Sequence, residues 1–171
     1  MYKRQGWRRW GFRKEIQYAS MTLNSNSSIE LWEDDAASQP QLYSPLTLAF
    51  LGDGVFELLA REHIVKKGSM PVAKLHLKAV ELVRADAQAA LYETLLPLLS
   101  QEELKVMRRG RNANGVRPPK NADPIAYRKA TGVEALFGYL YLCHRTQRLH
   151  ELFQVALTLQ AEQAGNAEGA L

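Results

Sequence analysis

Residues 44–60 read SPLTLAFLGDGVFELLA, an apolar run that contains Asp53 between two glycines. An aspartate is almost never fully buried unless it is paired or binds a metal. This segment is therefore either a surface turn or a buried element whose carboxylate has a function.

Two local structures compete for this segment. Asp53 followed by Gly54 between two apolar runs is typical of a β-hairpin. Ser44 followed by Pro45 is typical of a helix N-cap and first turn, and Gly68 is typical of a helix end. We favour one helix, and the hairpin remains the alternative.

In a helix, Ala49, Asp53 and Glu57 fall on one face, since they are four residues apart. The same helix contains Gly52 and Gly54, and each glycine costs about 1 kcal/mol relative to alanine in a helix interior. We therefore expect another group to approach this backbone closely.

The remaining sequence also predicts helices and no strands, so the predicted fold class is all-α. Ser100 and Glu103 form a capping-box pattern, and Asp123 followed by Pro124 is typical of a helix start. The later helices are predicted from Pro71, over 83–96, from Ser100 toward Arg111, from Asp123 to about Arg145, and over 149–163.

Composition and length are those of one domain. The chain has 171 residues, 46% of them hydrophobic, and its single cysteine, Cys143, excludes an internal disulfide. We divide it into a flexible tail (1–43), a helical domain (44–164) and a disordered C-terminus (165–171). Residues 1–20 are interpreted as non-native sequence, because Met21 offers another start.

With no apolar run long enough to span a bilayer, we predict a cytoplasmic protein without membrane contact.

Positive charge is concentrated in one segment. Residues 105–129 carry eight lysines and arginines against Asp123 alone, whereas the whole chain has a net charge of +4. Such a concentration is typical of a surface that binds a polyanion. A solvated charged loop is the alternative.

A second unusual carboxylate, Glu134, lies beside Gly132 in an apolar helix. Two such carboxylates far apart in sequence suggest that Asp53 and Glu134 meet around Mg²⁺ or Mn²⁺, which prefer oxygen ligands. The alternative is a local salt bridge of each carboxylate with Arg61, Arg128 or Lys129.

Three segments resemble the ribonuclease III family: 48–57 (LAFLGDGVFE), 133–139 (VEALFGY) and 109–128, with RGRNA, PKNAD and Tyr127-Arg128. The third is similar to the Mini-ribonuclease III subfamily, which has the catalytic domain alone. The resemblance runs from about Ser44 to about Val155.

This resemblance implies a homodimeric ribonuclease III-type domain that cleaves double-stranded RNA with Mg²⁺, which Mn²⁺ can replace. It implies 5′-phosphate products, and maturation of the large-subunit (23S) ribosomal RNA precursor on the pre-ribosome or with a ribosomal protein. By motif, Asp53 and Glu134 are the catalytic and metal-binding residues. Ala49 and Thr131 stand where full-length family members have further carboxylates, and Glu57 is a candidate substitute ligand.

Basic residues of the 105–129 segment are the candidate RNA contacts, because A-form RNA presents mainly phosphates and 2′-hydroxyls to proteins. They are Arg109, Arg111, Lys120 and Arg128, with Lys105, Arg108 and Arg117 as weaker candidates. The rival functions are a catalytically silent binder of duplex RNA or ribosomes on the same fold, and an adaptor for an acidic protein.

Overall fold

Helices make up the part of the chain that the computed structural model describes, which is residues 39–115, 118, 120 and 122–168. The α-helices are α1 (Pro45–Lys66), α2 (Val72–Val83), α3 (Ala85–Leu95), α4 (Gln101–Arg111), α5 (Pro124–Leu142) and α6 (Thr146–Glu168). Short 3-10 helices at Pro40–Leu42 and Leu96–Leu98 precede α1 and follow α3. These residues contain no strand, so the predicted all-α class is confirmed.

Helix α1 resolves the choice between helix and hairpin. The Ser44 side chain accepts a hydrogen bond from the Thr47 backbone N–H at 3.0 Å, as an N-cap residue does. Gly68, just beyond the helix, has a φ of +126°, which suits glycine. Asp53 and Gly54 therefore lie in the middle of a 22-residue helix, and the hairpin is excluded.

Helix α5 is the centre of the fold, with α1, α3 and α4 packed around it. Its residues 130–140 are buried except Glu134, which is half-buried. Phe137 of α5 lies edge-on to Phe56 of α1 at 5.0 Å between ring centroids, and Phe56 packs in the same way on Phe153 of α6 at 5.4 Å. This aromatic cluster joins α1, α5 and α6 in the core.

Close backbone contact explains one of the two glycines of α1. A Cβ atom at Gly52 would lie 1.7 Å from the carbonyl oxygen of Glu134, and one at Gly138 would lie 2.0 Å from that of Leu48. Helices α1 and α5 therefore cross where both lack side chains. Gly54 has no atom within 4 Å of a Cβ position, so the expected close approach holds for Gly52 only.

The predicted capping box is also present at the start of α4. The Glu103 side chain accepts from the Ser100 N–H at 2.9 Å, and the Glu103 N–H donates to Ser100 Oγ at 3.2 Å. Glu103 is only 3% exposed and binds the Arg148 guanidinium of α6 at 2.9 Å. This ion pair, in which Glu103 is buried and Arg148 is partly exposed, fixes α4 against α6.

The first and last structured residues of the domain differ from those that the sequence predicts. Residues 39–43, assigned to the tail, form a 3-10 turn with a buried Pro40 that contacts α5. Helix α6 starts before 149 and runs to Glu168, past the predicted end at 163. Polar composition misleads at the first of these ends, because a short segment can be fixed by contacts with distant residues. Residues 1–38 and 169–171 lie outside the described part.

No helix in the described part combines the length and apolar character needed to cross a membrane.

Candidate active site and nucleic-acid interface

A cleft of about 320 Å³ lies where α1 and α5 cross, and both unusual carboxylates line it. Its lining residues are Leu46, Ala49, Phe50, Asp53, Gly115, Tyr127, Thr131 and Glu134. The helix crossing accounts for this meeting, because Gly52 packs on the backbone of Glu134 and Asp53 is the next residue along α1. The hypothesis that Asp53 and Glu134 share one site thus has a structural basis.

The environment of the cleft opposes ionisation of both carboxyl groups. Burial, with a smaller contribution from the negative charge of Asp53, raises the pKa of Glu134 to about 7. Burial also raises the pKa of Asp53, with a contribution from the negative charge of Glu57. Two carboxylates that repel each other in a partly buried cleft favour the binding of a cation.

The cationic side chains that were candidate salt-bridge partners of the two carboxylates either pair with other residues or are exposed. Arg61 Nε donates to Glu57 at 3.1 Å, and Lys129 pairs with Glu93 at 2.7 Å. Arg128 is exposed. Neither Asp53 nor Glu134 forms an ion pair with any described residue, so the structure gives the salt-bridge alternative no support.

The donor set fits a divalent cation held by two carboxylates. Ala49 and Thr131 line the same cleft, and the Thr131 hydroxyl donates to the Tyr127 carbonyl at 3.0 Å. Glu57 does not line this cleft and is paired with Arg61. Within the described residues, no group of three or more His, Cys, Asp or Glu side chains is arranged to hold a metal. A role for Glu57 as a further ligand stays a prediction.

Basic side chains surround a second, larger cleft of about 780 Å³ between α4 and the start of α1. Its lining residues are Ser44, Pro45, Leu46, Gln101, Leu104, Lys105, Arg108, Arg109, Asn112, Ala113 and Asn114. No carboxylate is among them, so the cleft suits an anion. Leu46 lines both clefts, which makes the basic cleft and the carboxylate cleft neighbours.

The candidate RNA contacts fall into two groups. Lys105, Arg108, Lys120 and Arg128 are exposed, and Arg117 lies outside the described residues. Arg109 and Arg111 are half-buried and bind the protein itself. Arg109 donates to two backbone carbonyls, and the Arg111 guanidinium lies 5.8 Å from the centre of the Tyr92 ring.

Phe50 is a member of the cleft that sequence reasoning missed. Its apolar character suggests a core position, but its side chain is 86% exposed at the cleft lined by Asp53. The helical phase contained a signal, because Phe50 and Asp53 are three residues apart and share a face. An exposed phenylalanine at the rim of a cleft is typical of a surface that a partner covers.

Known proteins are similar to this chain in sequence and in fold. The model of the ribonuclease III domain family matches residues 46–145. The chain is 47% identical to the Mini-ribonuclease 3 of Symbiobacterium thermophilum, over 70% of this chain and 92% of that protein. It is 44% identical to the Mini-ribonuclease 3 of Brevibacillus brevis, over 74% of this chain and 95% of that protein.

A crystal structure of a Fusobacterium nucleatum protein is similar to this fold with a TM-score of 0.65 at 27% identity. The similarity covers 71% of this chain and 99% of that one.

Proposed function

This chain belongs to the ribonuclease III family, in its Mini-ribonuclease 3 branch, and we propose that it is a Mg²⁺-dependent endonuclease that matures the ends of large-subunit (23S) ribosomal RNA precursors by cleaving duplex RNA. The observation that carries the proposal is the pair Asp53 and Glu134, which share one cleft without a cationic partner among the described residues. A silent RNA binder has no use for two carboxylates whose ionisation is opposed by burial. A cytoplasmic location fits this substrate.

Asp53 and Glu134 would hold the Mg²⁺, which Mn²⁺ can replace. When bound, the metal supplies a Lewis acid and a nucleophile for hydrolysis of the phosphodiester, with 5′-phosphate and 3′-hydroxyl products. The chain's own contribution is a prepared anionic site. Glu134, with a pKa raised to about 7 by burial, holds a proton at its carboxyl below neutral pH and releases it when a cation binds.

The basic cleft supports duplex RNA as the substrate. Lys105 and Arg108 line it and are exposed, and Lys120 and Arg128 are exposed in the adjoining loop and at the start of α5. Side chains of this kind contact phosphates and carry little base specificity. A duplex bound along this cleft would pass the carboxylates, because the two clefts share Leu46. The proposed setting is a pre-ribosome, with a ribosomal protein as a further partner.

Cleavage of a 23S precursor duplex by the intact chain tests this function. We expect cutting in Mg²⁺ or Mn²⁺, none after chelation with EDTA, and none of the same sequence as a single strand. Ligation of the products without kinase treatment would show 5′-phosphate ends. If the chain binds the duplex in a salt-dependent way but never cuts it in either metal, the silent-binder alternative replaces the nuclease. Absence of salt-dependent binding would instead favour the protein adaptor.

A homodimer is part of the proposal, and the outer face of α1 supports it. Phe50, Leu58 and Val65 are 86%, 64% and 62% exposed, and their spacing places them along one side of the helix. Exposed apolar side chains in a row are typical of a surface that another subunit covers. A two-fold pairing of this face would bring two carboxylate clefts to one duplex.

Replacing Leu58 by arginine tests the dimer. We expect the intact chain to show twice its 19.3 kDa mass in light scattering, and Leu58→Arg to shift it to the monomer, because a charge would be buried in the interface. Leu77→Arg is the matched control, since Leu77 of α2 is 65% exposed and does not line the cavity between α1 and α2. A monomeric intact chain at the concentrations that support cleavage would contradict the dimer.

A further inference from the structure

Arg109 fixes the segment that leads into α1. Its Nη1 donates to the Gln41 carbonyl at 2.9 Å, and its Nη2 donates to the Tyr43 carbonyl at 3.2 Å. Both bonds join α4 to residues more than sixty positions earlier in the chain. The planar guanidinium suits this arrangement, because its nitrogens present donors in a fixed fork.

The segment fixed by Arg109 forms the entrance to the helix of the candidate active site. Residues 40–42 form a 3-10 turn in which the Leu42 N–H donates to Gln39 at 2.8 Å. Ser44 then caps α1. Two residues later Leu46 lines both the basic cleft and the carboxylate cleft. A shift of residues 41–43 would therefore be transmitted to both clefts.

Arg108 provides a contrast within the same helix turn. It lines the same basic cleft as Arg109 and is exposed, whereas Arg109 is half-buried. No described residue forms an ion pair or hydrogen bond with the Arg108 side chain. Its guanidinium is free to meet a phosphate. That of Arg109 would have to release the Gln41 and Tyr43 carbonyls to do so.

We propose that Arg109 is a positioning residue, which holds residues 41–43 and thereby the start of α1 against α4, and that it acts on cleavage through the shape of the two clefts. Only the cleavage readout of this inference rests on the proposed nuclease function. Hydrogen exchange and RNA binding test it independently.

Lysine and glutamine substitutions separate positioning from phosphate contact. Arg109→Lys keeps the positive charge, so a phosphate contact would tolerate it. Two simultaneous hydrogen bonds from the guanidinium to the Gln41 and Tyr43 carbonyls would not, because lysine lacks the planar pair of donors. We expect Arg109→Lys and Arg109→Gln alike to speed exchange of the Leu42 and Tyr43 amides by about tenfold or more, with the Leu104 amide of α4 unchanged as the internal reference.

Positioning and phosphate contact should also have different effects on kcat and KM. Both Arg109 variants should lower kcat on duplex RNA about tenfold with KM changed less than about threefold, since misplacement of a site affects the reacting geometry more than binding. The matched variant Arg108→Gln should raise KM, reduce the salt slope of RNA binding by about 1, and leave the two amides protected.

Two results would overturn the proposal. One is an Arg109→Lys variant with wild-type kcat and wild-type exchange, next to an Arg109→Gln variant with a reduced salt slope, which is the behaviour of a phosphate contact. The other is unchanged exchange at Leu42 and Tyr43 in both variants. Should the intact chain fail to cut RNA, the exchange and salt-slope measurements still decide the role of Arg109, and only the nuclease assignment falls.

Discussion

Asp53→Asn and Glu134→Gln should each reduce cleavage of duplex RNA about a thousandfold or more, while RNA affinity stays within about threefold of the intact chain. Each substitution removes one of the two negative charges available to a divalent cation in the cleft, and Lewis-acid catalysis supplies several kcal/mol of transition-state stabilisation. Single-turnover cleavage and filter binding in Ca²⁺ would measure the two effects separately.

Glu57→Gln is the matched control for these variants. Glu57 lies one turn beyond Asp53 on the same helix but pairs with Arg61 and does not line the cleft. We expect it to change cleavage by less than about tenfold, because its main effect on the site is its charge near Asp53. A loss as large as that of Asp53→Asn would make Glu57 a metal ligand.

Without metal, Glu134→Gln should stabilise the protein at pH 8. Burial raises the folded-state pKa of Glu134 to about 7 from 4.5, so the folded state loses stability as the pH rises through this range. The free energy of unfolding falls by about 2–3 kcal/mol. Glu134→Gln avoids this decrease because glutamine does not ionise. Thermal melts in EDTA should show a Tm increase of roughly 5 °C at pH 8 and little difference at pH 4.5.

Magnesium should then raise the Tm of the intact chain and have little effect on Glu134→Gln. A variant that melts below the intact chain at pH 8 would contradict this prediction, because it would mean that the Glu134 carboxylate has a stabilising partner.

Gly52→Ala should abolish folding. The added Cβ would lie 1.7 Å from the Glu134 carbonyl oxygen and 2.6 Å from the Gly138 backbone nitrogen, and neither backbone atom can move aside alone. Helices α1 and α5 would have to separate along the centre of the core, at a cost that exceeds about 4 kcal/mol and is comparable to the stability of an ordinary domain. Far-UV circular dichroism and thermal melting would show the loss.

Gly54→Ala provides the control, since Gly54 lies in the same helix and a Cβ there meets no described atom within 4 Å. It should leave the fold intact and gain about 0.5–1 kcal/mol from helix propensity. Equal behaviour of the two variants would show that the close crossing of α1 and α5 is not needed for folding. Gly138→Ala should resemble Gly52→Ala, because its Cβ would meet the Leu48 carbonyl oxygen.

The sequence predicts those features of the fold whose determining contacts are local. The Ser44 cap, the Ser100 capping box and the Asp123 cap all connect residues two or three positions apart, so their patterns are visible in the chain. The boundary at 39–43 was not visible, because the bonds that hold this segment come from Arg109 on α4.

The amino-acid sequence by itself determined the helical class, the starts of α1, α4 and α5, the basic 105–129 segment and the two carboxylates that stand out in apolar helices. Only the tertiary structure decided that Asp53 and Glu134 line one cleft and that Glu57 is paired away from it. It also decided that Gly52 needs to be glycine while Gly54 does not, and that Arg109 binds the protein's own backbone. The physical reason is distance along the chain. Caps and helical faces depend on neighbours within one turn, whereas these four outcomes depend on how α1, α4 and α5 pack against one another.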